Sequence, residues 1–143
     1  MDPNALTPPL PVPTPTTAPF WSGLAEGVVR IQRCEACGHW IFYPRAHCPR
    51  CLAPEPAWHE VSGAATLYSW TVCHRAPAPQ FEGLTPFVLA VVELAEGPRM
   101  TTRLVAAGDA RLAAGTALEP VIDHTGPVPM LLFRPADAAP AQA

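Results

Sequence analysis

Four of the chain's five cysteines lie within eighteen residues, in the segment CEACGHWIFYPRAHCPRC, residues 34–51. They form two CxxC pairs separated by ten residues. The backbone of each pair can curl so that both sulfurs face one point, and two such pairs complete a tetrahedron around Zn²⁺. Four thiolates leave no open position for water or a substrate. The sequence therefore predicts a structural zinc site whose ligands are Cys34, Cys37, Cys48 and Cys51.

The alternatives to that site are a redox or iron centre and a ligand set that includes His39 or His47. Both histidines lie outside the CxxC frame, which argues against them as ligands. Gly38 follows the first pair and supplies the backbone conformation that such turns use. Leu52 occupies the corresponding position of the second pair, which departs from the usual pattern.

A short helix is predicted immediately before the cysteine segment. Pro19 suits the first turn of a helix, and Gly27 can end it in the left-handed conformation. Phe20, Trp21 and Leu24 fall on one face. A helix this short is not stable alone in water, so that face must dock on this chain's own core or on a partner subunit. Both alternatives remain open, and the three residues are candidates for a partner interface.

The rest of the chain predicts β-structure between two unstructured ends. Seven prolines in residues 1–19 predict a disordered leader, and the small residues of 136–143 predict a disordered tail. We expect strands at residues 28–32, 65–75, 86–94, 99–105, 117–123 and 129–134, with a helical turn near Gly108 and Asp109. Five strands after residue 58, with the turn after the third, are typical of an OB-type barrel; an SH3-like barrel is the alternative.

The predicted fold is thus mainly β. It consists of a helix and zinc ribbon in residues 20–57 and a five-stranded barrel in residues 58–135.

Charge and composition argue against some classes of function. The net charge is −3, lysine is absent and the isoelectric point is about 5.9, which argues against a general nucleic-acid or anionic-membrane surface. A nucleic-acid-binding module remains an alternative, because zinc ribbons and OB-folds both recur in that role. Residues 1–19 lack the features of a signal peptide, and no apolar run approaches the ~20 residues of a membrane helix, so we expect a cytoplasmic protein.

No catalytic constellation is predicted. Cys73 and His74 are adjacent in a predicted strand, where neighbouring side chains point to opposite faces, so they do not form a nucleophile and base pair. An independent enzyme that uses Cys73 or the zinc is the alternative reading. His74 and Arg75 begin a loop between two strands, where they serve either ligand binding or turn packing.

The cysteine segment carries a modest positive charge. Four arginines lie in residues 30–50 against Glu35 and the −2 charge of a zinc bound by four thiolates, which leaves about +1. That is enough for one phosphate-bearing ligand. Alternatively, the arginines only compensate the charge of the metal and its thiolates.

The order of these parts closely resembles one known family. The segments PFWSGL, RIQRCEACG, YPRAHCPRC, GAATLYSWTVCHRAP, PFVLAVVEL, GPRMTTRLV and FRP follow each other between about Phe20 and Pro135. This is similar to the acyl-CoA-associated family that pairs a rubredoxin-like zinc ribbon with an OB-fold, first catalogued as domain of unknown function number thirty-five.

The resemblance implies a non-catalytic subunit that associates with thiolase-superfamily enzymes; a stand-alone acyl-CoA-binding protein is the alternative. These enzymes are thiolases, hydroxymethylglutaryl-CoA synthases and thiolase-like aldolases that cleave steroid side-chain acyl-CoAs; some family members are fused to hot-dog-fold hydratases. The family's zinc ligands correspond to the same four cysteines of this chain. Possible partners are therefore a thiolase-like or aldolase subunit, a hydratase and an acyl-CoA. We add four predicted acyl-CoA contacts by inference from the sequence rather than from the family: Arg30, Arg45, His74 and Arg75.

Overall fold

The computed structural model describes residues 9–107 and 111–137. The helix α1 (Ala18–Glu26) precedes the strands, and a short 3-10 helix spans Pro79–Leu84. The strands are β1 (Val29–Arg33), β2 (Trp40–Ile41), β3 (Ala57–Val61), β4 (Ala65–Cys73), β5 (Phe87–Leu94), β6 (Arg99–Leu104), β7 (Ala117–Asp123) and β8 (Met130–Pro135). No helix in the described ranges is long and apolar enough to cross a membrane.

Helix α1 begins inside the segment predicted as a leader. The backbone N–H of Thr14 donates to the hydroxyl of Thr17 at 2.8 Å, and the N–H of Ala18 donates to the carbonyl of Thr14 at 2.8 Å. This turn leads into the helix two residues before Phe20. The helix ends as predicted, with Gly27 in the left-handed conformation at φ +85°. Residues 1–8 of the predicted leader and 138–143 of the predicted tail lie outside the described residues.

The apolar face of α1 packs on the chain's own core. Phe20 is 6% exposed and Leu24 is fully buried, and both belong to the main hydrophobic cluster. For these two residues, docking on the chain's own core is therefore the alternative that is found. Trp21 is half-buried, with its ring edge-on to Phe20 at 5.0 Å between centroids.

The first sheet is three-stranded and antiparallel, in the order β2-β1-β3. Strand β1 pairs with β3 from Val29 opposite Val61 to Arg33 opposite Ala57. Residues 58–61, which the sequence boundary assigned to the barrel, thus pair with the ribbon. The sequence did not predict this strand separately, because its partner lies about 30 residues earlier along the chain.

The second sheet is a closed barrel in the order β4-β5-β6-β8-β7. The pairing of Ala65 with Leu118 closes it between β4 and β7. Its five strands confirm the predicted mainly β fold with an OB-type barrel. The 3-10 helix between β4 and β5 was not predicted, and the turn predicted at Gly108 and Asp109 lies outside the described residues.

One glycine sets the join between the two sheets. Gly63 connects β3 to β4 with φ +79°, which L side chains rarely adopt. A Cβ atom at this position would lie 2.7 Å from Cγ of Pro120 in β7. A side chain at this position would therefore force the end of the ribbon sheet and the barrel apart.

Candidate metal centre and ligand-binding crevice

The four predicted cysteine ligands converge on one point. All four Sγ atoms lie within 4.8 Å of one another. The distance is 3.5 Å between the sulfurs of Cys34 and Cys51 and 3.7 Å between those of Cys37 and Cys48. Tetrahedral coordination with Zn–S bonds of about 2.3 Å places sulfurs about 3.8 Å apart, so this arrangement fits one metal ion. His39 and His47 are not part of this group.

The first CxxC pair is held by backbone hydrogen bonds. The N–H of Cys34 donates to the carbonyl of His39 at 2.9 Å, and the N–H of Gly38 donates to the carbonyl of Cys34 at 2.8 Å. Gly38 has φ +74°, in the left-handed region. We call this turn the first knuckle.

The second knuckle repeats the pattern without a glycine. The N–H of Cys48 donates to the carbonyl of Ala53, and the N–H of Leu52 donates to the carbonyl of Cys48, both at 2.9 Å. Leu52 has φ +66°, so it adopts the same left-handed conformation as Gly38. The departure seen in the sequence does not change the geometry of the turn, but it places a side chain in a conformation that costs free energy.

The thiols influence each other's ionisation. Burial raises the pKa of Cys48, but the backbone N–H groups of Cys51 and Arg50 and the neighbouring sulfurs outweigh it and lower this pKa to about 7. The N–H of Ala53 lowers the pKa of Cys51, whereas the other sulfurs and burial raise it, to about 12. Four thiolates thus need a cation between them, which a divalent metal supplies.

A crevice of about 450 Å³ lies between the ribbon and the hairpin that joins β5 to β6. Its lining includes Arg45, Arg50, His39 and Trp40 from the ribbon and Glu96 from the hairpin. The sequence predicted Arg45 as a ligand contact, but not Arg50 or Glu96. The crevice therefore collects charged groups from segments about 50 residues apart in the sequence.

Arg45 is anchored in the crevice through its backbone. The side-chain amide of Gln32 donates to the carbonyl of Arg45 at 2.9 Å, and the N–H of Arg45 donates to the amide oxygen of Gln32 at 2.7 Å. Gln32 is only 4% exposed, and this pair of bonds satisfies its buried amide. No local sequence pattern indicates this contact.

Glu96 contributes an unpaired buried oxygen. Its Oε2 atom is inaccessible to solvent and accepts no hydrogen bond from the described residues. Buried carboxylate oxygens normally have a donor. In the sequence, Glu96 is one residue of a hairpin loop, and nothing there signals its burial.

The other predicted ligand contacts are not brought together with Arg45. Arg30 forms ion pairs with Glu26 at 2.6 Å and Glu60 at 3.4 Å, which link α1, β1 and β3. His74 and Arg75 are exposed and follow the end of β4. Cys73, the last residue of that strand, is half-buried beside the exposed His74.

A large cavity lies at one end of the barrel. Its volume is about 710 Å³, and its lining is mainly apolar, with Trp70 and Val72 from β4 and Leu104 from β6. Among the described residues that line this cavity, Arg103 is the one that carries a charge. His74 and Arg75 do not line it, but they follow closely after Val72 in the chain.

Comparison with known proteins identifies the family of the chain. Residues 21–57 match a family model described as the rubredoxin-like zinc ribbon domain of ChsH2, and residues 58–123 match its C-terminal OB-fold domain. A solved structure named Ltp2-ChsH2(DUF35) aldolase contains a chain that is 31% identical, with a TM-score of 0.78. The match covers 89% of this chain and 99% of that one. The chain belongs to the DUF35 family. Its metal centre is accordingly a zinc ribbon, as predicted.

DUF35 relatives carry two kinds of name. A DUF35 domain-containing scaffold protein of Methanocaldococcus jannaschii is 39% identical over 51% of this chain and 52% of its own length. A probable enoyl-CoA hydratase alpha subunit of Thermomonospora curvata is 36% identical over 82% of this chain and 37% of its own length. The 3-oxo-4,17-pregnadiene-20-carboxyl-CoA hydratase alpha subunit of Mycobacterium tuberculosis is 37% identical over 80% of this chain and 35% of its own length. The matched part of the chain thus spans between about a third and a half of the length of these relatives.

Proposed function

We propose that this chain is a non-catalytic subunit that binds a thiolase-superfamily enzyme and helps to form its acyl-CoA site. The partner is a thiolase or a thiolase-like aldolase, acting on fatty or steroid side-chain acyl-CoAs. The observation that carries the proposal is the match to 99% of the DUF35 chain in the Ltp2-ChsH2 aldolase. A hot-dog-fold hydratase is a further candidate partner, supported by the names of two relatives.

The chemistry of the metal centre supports a role outside catalysis. Four thiolates occupy the coordination shell that zinc prefers, so the ion stabilises the ribbon and offers no position to a substrate. The partner would supply the reacting groups. This chain would hold the partner's loops and the acyl-CoA in place, and errors of about 1 Å in such positioning can cost about a hundredfold in rate.

The barrel exposes apolar side chains that suit a partner. Trp70, Val72 and Leu84 at the large cavity are each more than a third exposed. Exposed apolar groups that line a common depression are typical of interaction sites, unlike single scattered ones. In place of the buried Phe20 and Leu24, we propose this end of the barrel as the contact region.

The predicted acyl-CoA contacts separate into two groups. Arg45 lies in the crevice, and His74 and Arg75 follow the strand that lines the large cavity. We retain these three as proposed contacts. Arg30 is engaged by two glutamates, so its first role is to join the helix to the ribbon sheet.

Affinity capture tests the proposal. The chain carries a tag at its C-terminus and is recovered from a nuclease-treated lysate of the source organism, with the tag alone as the control. We expect a thiolase-superfamily protein at near one-to-one stoichiometry by quantitative mass spectrometry. Elution of the chain without a partner would contradict the proposal. A second capture from a lysate without nuclease treatment would also contradict it if the chain eluted with nucleic acid.

A further inference from the structure

An apolar furrow runs along strands β6 and β8 of the barrel, and residues 9–13, which we call the strap, lie against it. We propose that the furrow binds an extended, uncharged apolar segment of the partner enzyme and that this segment displaces the strap. The identity of the partner rests on the proposed function, whereas the furrow and the strap rest on contacts within this chain.

Three adjoining depressions form the furrow. The large cavity at the end of the barrel adjoins a groove of about 350 Å³, and both are lined by Leu84, Phe87 and Arg103. This groove adjoins a pocket of about 240 Å³ beside α1, and both are lined by Met130 and Leu131. The furrow therefore begins at the proposed contact region and continues along the barrel toward the helix.

The strap forms one wall of the groove, in the middle of the furrow. Pro9, Leu10 and Pro11 line the groove together with apolar residues of β8 and the 3-10 helix. Leu10 is 43% exposed, so more than half of its surface is covered, whereas Val12 is 82% exposed. The strap thus turns one of its two non-proline side chains toward the barrel and the other toward solvent.

Apolar contacts hold the strap in place. Three of its five residues are prolines, which have no N–H group to donate. Among the described residues, none forms a backbone–backbone hydrogen bond with the strap. The strap can therefore leave the barrel without breaking a backbone hydrogen bond, which is typical of segments that open at low cost in free energy.

The chemistry of the furrow limits what can replace the strap. Arg103 and Asp123 are the charged residues in its walls within the described ranges, and their charges are opposite. The carboxylate of Asp123 already accepts hydrogen bonds from Thr125 at 2.7 and 2.9 Å. The furrow therefore suits an uncharged apolar segment. Extended segments that contain proline bind apolar grooves in this way in other recognition modules.

The position of the furrow favours a segment of the partner as the occupant. Because the furrow is continuous with the proposed contact region, a partner bound there can extend a segment into it. The strap would then compete with the partner for the middle of the furrow. Release of the strap should consequently strengthen binding of the partner.

Matched substitutions test whether the strap covers the furrow. Leu10→Asp should release it, because a carboxylate is not tolerated against apolar side chains. Val12→Asp makes the same change in charge at an exposed position, and Leu10→Met keeps an apolar side chain. Binding of the apolar-surface dye anilinonaphthalene sulfonate to the zinc-loaded full chain should rise roughly twofold with Leu10→Asp. It should not change with the two controls, and equal dye binding by Leu10→Asp and Val12→Asp would overturn the inference.

Partner capture tests what the strap excludes. At a chain concentration that leaves most of the partner unbound, Leu10→Asp should recover roughly fivefold more thiolase-superfamily protein than the unmodified chain. The factor corresponds to the burial of about half a leucine side chain, which the partner no longer has to displace. Met130→Asp in the wall of the furrow should recover less. Leu89→Asp, at a similarly exposed position outside the furrow, should recover as much as the unmodified chain.

The two measurements separate failure of this inference from failure of the proposed function. Equal or lower recovery of the partner by Leu10→Asp would overturn displacement of the strap. Dimerisation of Leu10→Asp without higher recovery, measured by light scattering, would assign the furrow to a second copy of the chain and overturn the choice of occupant. Absence of a thiolase-superfamily protein with every variant would refute the proposed function and this occupant, whereas dye binding would still decide whether the strap covers the furrow.

Discussion

The barrel and the metal-binding end of the ribbon differ in what keeps them folded. All five barrel strands contribute to one buried cluster, in which Leu67, Val92 and Phe133 are at most 1% exposed. Helix α1 and strand β1 join the same cluster. The barrel and the near edge of the ribbon thus share a core of the ordinary apolar kind.

The metal-binding end has almost no apolar core. Its buried cluster consists of Cys34, Ile41 and Cys48, with Ala53 packed against it. Burial of a whole aliphatic side chain contributes about 1.5–3 kcal/mol, and ordering each residue costs a similar amount. The two knuckles therefore depend on the metal, whose binding supplies about 10–16 kcal/mol in comparable zinc sites.

Loss of a metal ligand should have the largest effect. Replacement of a buried ligand, Cys34→Ser or Cys48→Ser, should give insoluble protein, because the free energy of zinc binding is also free energy of folding. Soluble yield and zinc content check this. Cys73→Ser, which changes the cysteine outside the metal group, should remain soluble with one zinc per chain. Soluble, metal-free Cys34→Ser with a native circular dichroism spectrum would contradict the contrast between the two regions.

A cavity in the barrel core should have the next largest effect. Phe133→Ala should lower the free energy of unfolding by about 3–5 kcal/mol, because Phe133 is fully buried where β8 meets β6 and β7. Denaturant titration measures the loss, with Val12→Ala at an 82% exposed position as the control. The folded variant should keep its zinc; loss of zinc before unfolding would show that the metal end depends on the barrel core.

Single substitutions in the two knuckles should change the stability of the ribbon in opposite directions. Gly38→Ala should destabilise the ribbon by about 1 kcal/mol, because alanine is strained at positive φ and the nearest atom, in Arg33, is 3.6 Å from the added Cβ, so contact adds no clash. Leu52→Gly should relieve the same strain. Its gain should stay below about 1 kcal/mol, since glycine also favours the unfolded chain.

Competition with a chelator measures this third effect through zinc affinity. The side chain of Leu52 is 74% exposed, so its removal loses little burial. Changes of the same sign in the two variants would show that the knuckles are not equivalent, despite their matching hydrogen bonds.

The sequence predicted the parts that follow from local patterns. The CxxC spacing specified the metal ligands, because two turns with fixed geometry suffice to aim four sulfurs. The apolar strand at residues 86–94 and the loop after it were recognisable from composition and appear as β5 and its hairpin. The end of α1 was predicted because Gly27 is a local stop signal.

The missed features depend on contacts between distant segments. Strand β3 is defined by its pairing with β1. Arg45 is anchored by the side-chain amide of Gln32 in β1, and Glu96 lines the same crevice as Arg45 although it is about 50 residues away in the sequence. The same applies to Phe20 and Leu24, since their pattern indicates an apolar face but not what covers it.

Acyl-CoA turnover, measured for the isolated, zinc-loaded chain and for the complex recovered from the source lysate, tests whether this subunit acts without catalytic groups of its own. We expect no carbon–carbon bond formation or cleavage by the chain alone and turnover by the complex, with the same rate when the chain carries Cys73→Ala. Thioester turnover by the isolated chain that Cys73→Ala abolishes would contradict the claim that this subunit acts without catalytic groups of its own.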